Sequence, residues 1–120
     1  MPRSTERTPQ HETDQHLPLR AADCHLLMAL RRDDMYGYAL LQAMADDSRG
    51  AVSMDIGALY RALDRLMRAG LIGTSGRRDP EPSRGKPRRY YAITDLGRDV
   101  LSAELTRLER LLALSHGEAR

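Results

Sequence analysis

At 120 residues the chain is one small domain with room for a single hydrophobic core, and with neither Phe nor Trp that core must be built from Leu, Met, Ala, Ile, Val and a few Tyr. So aliphatic an interior favours helix-on-helix packing, with burial against a second copy as an expected extra source of apolar area. The net charge is only +2, yet residues 61–92 hold nine Lys and Arg against three Asp and Glu, which points to a surface aimed at polyphosphate. No apolar run is long enough to span a bilayer and the polar start lacks a signal peptide's apolar segment, so a cytosolic protein without a membrane partner is expected. The single Cys24 cannot form an internal disulfide or by itself a zinc site. It reads as a small buried thiol, with an intermolecular redox bond as the alternative.

Residues 1–17 are polar, contain two Pro and show no apolar periodicity, the pattern of a disordered arm. His11 and His16 lie within it without a third ligand nearby, so no metal site is expected. Ala21 to Leu30 is a strong helix former with Leu26, Leu27 and Leu30 on its core face, and Arg31 to Asp34 is a charged break. His25, set among apolar neighbours, reads as a boundary residue rather than a catalytic base. A second helix is predicted from Tyr36 to Asp47, with Leu40, Leu41, Met44 and Tyr36 facing inward. Gly37 in its first turn costs helix stability relative to Ala, which suggests the close approach of another backbone. The methionines at 28, 35, 44, 54 and 67 read as gap-filling core residues.

The segment from Asp55 to Leu71 carries the strongest signal. Leu59, Leu63 and Leu66, flanked by Ile56, Ala62 and Met67, recur at three and four residues, the stripe of an amphipathic helix on a core. Asp55 is placed to cap the first free amides, and Gly70 to end the helix. Off the stripe lie Tyr60, Arg61, Asp64, Arg65 and Arg68. Two strand-like runs follow, Leu71 to Ser75 and Arg89 to Ile93, the second placing Tyr91 and Ile93 on one face and Tyr90 and Ala92 on the other. The connection carries Arg77, Arg78, Arg84, Lys86 and Arg88, with Gly85 and three Pro keeping its tip out of regular pairing. Such a hairpin holds cations away from the body of the domain. The last helix is predicted from the N-cap Thr94 to about Ser115, with Leu101, Leu105, Leu108 and Leu112 at coiled-coil spacing. That seam is longer than a small core can cover, so a second copy is the expected partner.

This order of helices and basic hairpin is that of a winged helix-turn-helix, and the residues at its joints resemble the PadR family of bacterial transcription factors. The resemblance lies in Leu26 to Leu30, in Tyr36-Gly37-Tyr38-Ala39-Leu40, in Gly57 to Leu66 with Gly70-Leu71-Ile72, and in Arg88 to Thr94 followed by Gly97, together covering roughly residues 20–115. It implies a cytosolic, dimeric repressor. Its third helix enters the major groove with Tyr60, its wing touches flanking DNA with Lys86 and the neighbouring arginines, and its C-terminal helix makes the dimer. Two departures stand out: Tyr36 occupies a place where the family commonly has His, and the absence of Trp excludes effector stacking on tryptophan.

The expected architecture is therefore mainly α with a small β-hairpin: an arm at 1–17, a winged-helix domain at 18–93 and a dimerisation helix at 94–120. Arg77, Arg78, Arg84, Lys86 and Arg88 would neutralise phosphates, while Tyr60 and Arg61, with Ser53, Gly57 and Ala58, would read base edges. Arg65 and Arg68, further along the helix, are expected to be phosphate or intramolecular anchors. The expected partner is a pseudo-palindromic duplex bound by a homodimer. No cofactor is expected, and a small-molecule effector is left open. The competing reading is a winged-helix interaction module whose basic wing docks on an acidic protein. No nucleophile, metal set or phosphate loop supports an enzyme.

Overall fold

The computed structural model describes residues 9–77 and 88–117. Five helices and three short strands follow in the order α1 (Pro9–Asp14), α2 (Ala21–Arg32), β1 (Met35–Tyr36), α3 (Gly37–Asp47), α4 (Ile56–Arg68), β2 (Ile72–Thr74), β3 (Tyr90–Ile93) and α5 (Asp95–Ser115). The strands form one antiparallel sheet in the order β1-β3-β2, with Met35 opposite Tyr91, and Ile72 opposite Ile93.

One core joins all these layers. Leu26, Leu27 and Leu30 of α2 meet Leu40 of α3, Leu59, Leu63 and Leu66 of α4, and Val100 and Leu101 of α5, all almost wholly removed from water. Met44 is fully buried, and Met28, Met35, Met54 and Met67 pack partly buried against the same cluster, filling gaps as their flexible stems allow. The ends of α4 match the sequence signals. Asp55 accepts a hydrogen bond from the Ala58 amide at 2.7 Å, and Gly70 takes a left-handed φ of +79° while the Leu71 amide closes back on the Leu66 carbonyl. Thr94 caps α5 by accepting from the Gly97 amide at 3.0 Å, and its hydroxyl donates to the Gly70 carbonyl, so one residue ties the start of α5 to the end of α4.

Three expectations need correction. Within the supposedly disordered arm, residues 9–14 form α1, which packs against α5 with Thr13 buried. Its register offers too few apolar residues to announce a helix, and it is α5 that supplies the packing surface. Met35 and Tyr36, expected as helix or break, are instead a third strand, because β3 has an unpaired edge that two residues suffice to cover. Tyr90, on the face opposite Tyr91, is as buried as Tyr91, because that face is closed by Tyr36, edge-on at 5.5 Å, and by Arg77. Finally, Leu101 does not face a second copy. The first turns of α5 complete this chain's own core, burying Leu101 and part of Leu105, and only Leu108, Leu111, Leu112 and Leu114 remain exposed.

Candidate nucleic-acid interface

The helix-turn-helix consists of α3, the turn at 48–55 and α4. Its apolar stripe sinks Leu59, Ala62, Leu63 and Leu66 into the core, which turns the other face of α4 outward. On that outer face Tyr60 is 46% exposed and Arg61 and Gly57 are open to solvent, while Ser53 is exposed in the turn just before the helix and Ala58 is partly covered. Asp64 and Arg68 pair with each other at 2.7 Å, both well exposed, which is a surface contact of small energetic weight.

The close neighbour that the sequence implied for Gly37 is a side chain rather than a backbone. The Tyr60 ring lies against the first turn of α3, so that a Cβ on Gly37 would stand 2.6 Å from the Tyr60 hydroxyl oxygen. Glycine at 37 thus lets the phenol lie flat between the starts of α3 and α4, leaving part of the ring outward.

Arg65 is an anchor within the protein. Its two terminal nitrogens donate to both carboxylate oxygens of Asp23, at 2.7 and 3.1 Å, and the Asp23 side chain in α2 is only 5% exposed. This hydrogen-bonded pairing holds the guanidinium above its ordinary pKa. A two-pronged ion pair of this kind fixes orientation as well as distance, so it sets how α4 lies on α2.

The cations of the hairpin divide into two groups. Arg78, Arg84 and Lys86 lie outside the described residues. Arg77 donates to Asp33 and to the Asp34 carbonyl, and Arg88 lies over the Tyr36 ring, 4.4 Å from its centroid. One cation was missed by sequence reasoning. Arg20, at the start of α2, lines a cleft of about 270 Å³ together with Ala58, Arg61 and Arg65. A signal existed, since a cation at the positive end of a helix is electrostatically unfavourable and asks for another reason to be there. Among the described residues no three His, Cys, Asp or Glu side chains gather as a metal site.

Cys24 is partly buried against the core, and burial first, then the neighbouring Glu104, pushes its thiol up. That favours the inert-thiol reading over a redox one. Glu104 is itself buried in α5, bound by both Arg107 nitrogens at 2.9 and 2.8 Å and by the Leu19 backbone.

A helix-turn-helix whose second helix is braced from behind, followed by a β2–β3 hairpin that β1 widens to three strands, defines a winged helix-turn-helix protein of the transcription-regulator class. The chain belongs to the PadR-like family: the family described as "Transcriptional regulator PadR-like family" matches residues 26–103. Among solved structures it is similar to a PadR family transcription regulator from Clostridium difficile, at 26% identity and a TM-score of 0.66, covering 82% of this chain and 97% of that one. It shares the fold of a PadR-like regulator from Bacillus cereus, at 24% identity and a TM-score of 0.66, covering 86% and 94%. It also shares the fold of Bacillus subtilis PadR solved in complex with operator DNA, at 23% identity and a TM-score of 0.61, covering 73% of this chain and 48% of that one. No curated protein matches the chain significantly in sequence. The family is one of transcription regulators, not enzymes. No described helix is long and apolar enough to cross a membrane.

Proposed function

We propose that this chain is a sequence-specific DNA-binding regulator that acts as a homodimer on a pseudo-palindromic operator, as a repressor released by a small molecule or another signal. The observation that carries the reading is the outer face of α4, where Tyr60 and Arg61 stand exposed beside Gly57 on a helix held rigidly from behind. Tyr60 and Arg61, with Ser53, Gly57 and Ala58, read base edges. Arg78, Arg84 and Lys86 on the hairpin, and Arg20 in the cleft beside Arg61, neutralise phosphates and set register. That Bacillus subtilis PadR was solved in complex with operator DNA supports a DNA duplex as the partner.

The exposed end of α5 supplies the dimer contact. Leu108, Leu111, Leu112 and Leu114 crowd into its last turns, and a second copy of the same helix is the simplest cover for them. The winged-helix unit at 18–93 and the helix at 94–120 then serve as reader and dimeriser, with the early turns of α5 shared between the two. Two copies about a two-fold axis call for half-sites roughly 34–36 Å apart. A regulator of this kind works in the cytoplasm, where the bacterial chromosome is.

A titration of the full chain with the DNA flanking its own coding region tests the proposal. Sub-micromolar, salt-sensitive binding to one fragment over scrambled duplexes is expected. Equal indifference to every duplex would refute it and favour a protein-docking wing.

A further inference from the structure

Residues 77 and 88 flank the basic segment 78–87, and both are fastened to the same place. Arg77 donates to Asp33 Oδ2 at 2.8 Å and to the Asp34 carbonyl at 3.1 Å, and its guanidinium lies 5.1 Å from the centre of the Tyr90 ring. Its backbone amide donates to Ser75 Oγ at 3.0 Å, and that hydroxyl in turn donates to Asp34 Oδ2 at 2.5 Å. The Ser75 amide is bound to the Tyr90 carbonyl. On the returning side Arg88 covers Tyr36, and Tyr36 meets Tyr90 edge to face. Two arginines thus sit on one tyrosine pair, and the outgoing one is also locked to the turn between α2 and β1.

Phosphate neutralisation does not account for this arrangement. Arg77 commits Nη1 to a carboxylate and a carbonyl and lies against an aromatic face, so contacts within this chain set its position even though part of the guanidinium stays open to solvent. The hydrogen bond from Arg77 lowers the Asp33 carboxyl from its ordinary value. The residues also come from three separate stretches of chain, at 33–36, 75–77 and 88–90, so the contact fixes where the hairpin leaves the body of the domain.

We propose that Arg77 is a positioning residue, which with Asp33, Asp34 and Ser75 clasps the base of the hairpin to the α2–β1 turn and so fixes where the chain leaves the body of the domain on its way to the cations beyond it. This rests on the reading of the hairpin as a phosphate-contacting wing. Asp33, an acid that simple electrostatics would place among the residues opposing DNA binding, then promotes it.

The test uses the full chain and its operator fragment across a salt series, comparing Arg77→Ala, Asp33→Ala, the double variant and the charge exchange Asp33→Arg/Arg77→Asp. Each single variant is expected to weaken binding by roughly threefold to tenfold, the double variant no more than the worse single, as coupled partners behave, and the exchange is expected to recover most of the loss. If Asp33→Ala binds as well as the parent or tighter while Arg77→Ala binds more weakly, Arg77 is a phosphate contact and the clasp is overturned. Independent, additive losses overturn it as well. Lys86→Ala separates this failure from that of the underlying reading: a salt slope lower by about one shows that the hairpin touches phosphates whatever Arg77 does. An unchanged affinity and slope for Lys86→Ala overturns the wing reading and the clasp together.

Discussion

Replacing Arg65 by Met keeps most of the stem that packs along α4 and removes only the charged fork on Asp23. Both Asp23 oxygens then lose their donors, at 2.7 and 3.1 Å, in a side chain that is only 5% exposed. A buried acceptor left without a partner costs about 1–3 kcal/mol. The Arg65 side chain is itself 41% exposed, so water can reach part of the vacated space and the lower half of that range applies, about 1–2 kcal/mol. For a domain of this size each kcal/mol lowers Tm by roughly 4–8 °C. Urea denaturation of Arg65→Met, Asp23→Ala and the double variant measures both the loss and the coupling, and a coupling of about 1 kcal/mol is expected. A loss within about 0.3 kcal/mol for Arg65→Met would refute the reasoning, leaving the apolar stripe alone to orient α4. Operator binding by the same variant should weaken without a change of preferred sequence, since the readers stay on the helix and only its seating loosens.

Other expectations concern the joints and surfaces around this helix. A Cβ at Gly97 would fall on the backbone carbonyl of Leu71 and 2.8 Å from Ile93 Cγ1, so Gly97→Ala should destabilise the fold by about 3 kcal/mol or more, and a chemical melt within 0.5 kcal/mol of the parent would contradict that packing. Glu104 has its carboxyl lowered chiefly by the hydrogen bonds from Arg107, against the opposing effect of burial. Its folded pKa lies below its unfolded one, so the stability it contributes is present above about pH 4.3 and is lost as the pH falls through the depressed value. Glu104→Gln should flatten that acid limb, as followed by thermal melts across the pH series. Leu112→Lys, at a site 59% exposed, should leave the monomer fold intact and shift sedimentation toward a single chain. Unchanged assembly would remove the end of α5 from the dimer contact. Arg61→Ala should alter preference at one base pair, whereas Arg20→Ala should weaken all sequences alike and lower the salt slope by about one. A uniform loss for Arg61→Ala would make it a backbone contact.

Much of this protein is legible in one dimension because the signals are local. A three-and-four repeat of leucines, a capping aspartate and a terminating glycine lie within a single stretch, and each states its own physical requirement without reference to the rest of the chain. Hence α4, its buried face and its exposed Tyr60 and Arg61 could be named from residues 55–71 alone. The resemblance across residues 20–115 supplied the order in which these pieces assemble.

Tertiary structure decided what needs a partner distant in sequence. Arg65 and Asp23 are 42 residues apart, and Arg77 and Asp33 are 44, so no periodicity could tell that each of these arginines has an acidic partner within the chain. The two-residue strand β1 exists only because β3 lends it an edge, and the leucine seam of α5 divides between core and surface only where the body of the domain ends. Helix-forming pattern is a property of neighbours along the chain, whereas the fate of a charge or of an exposed leucine depends on which surface folding brings against it.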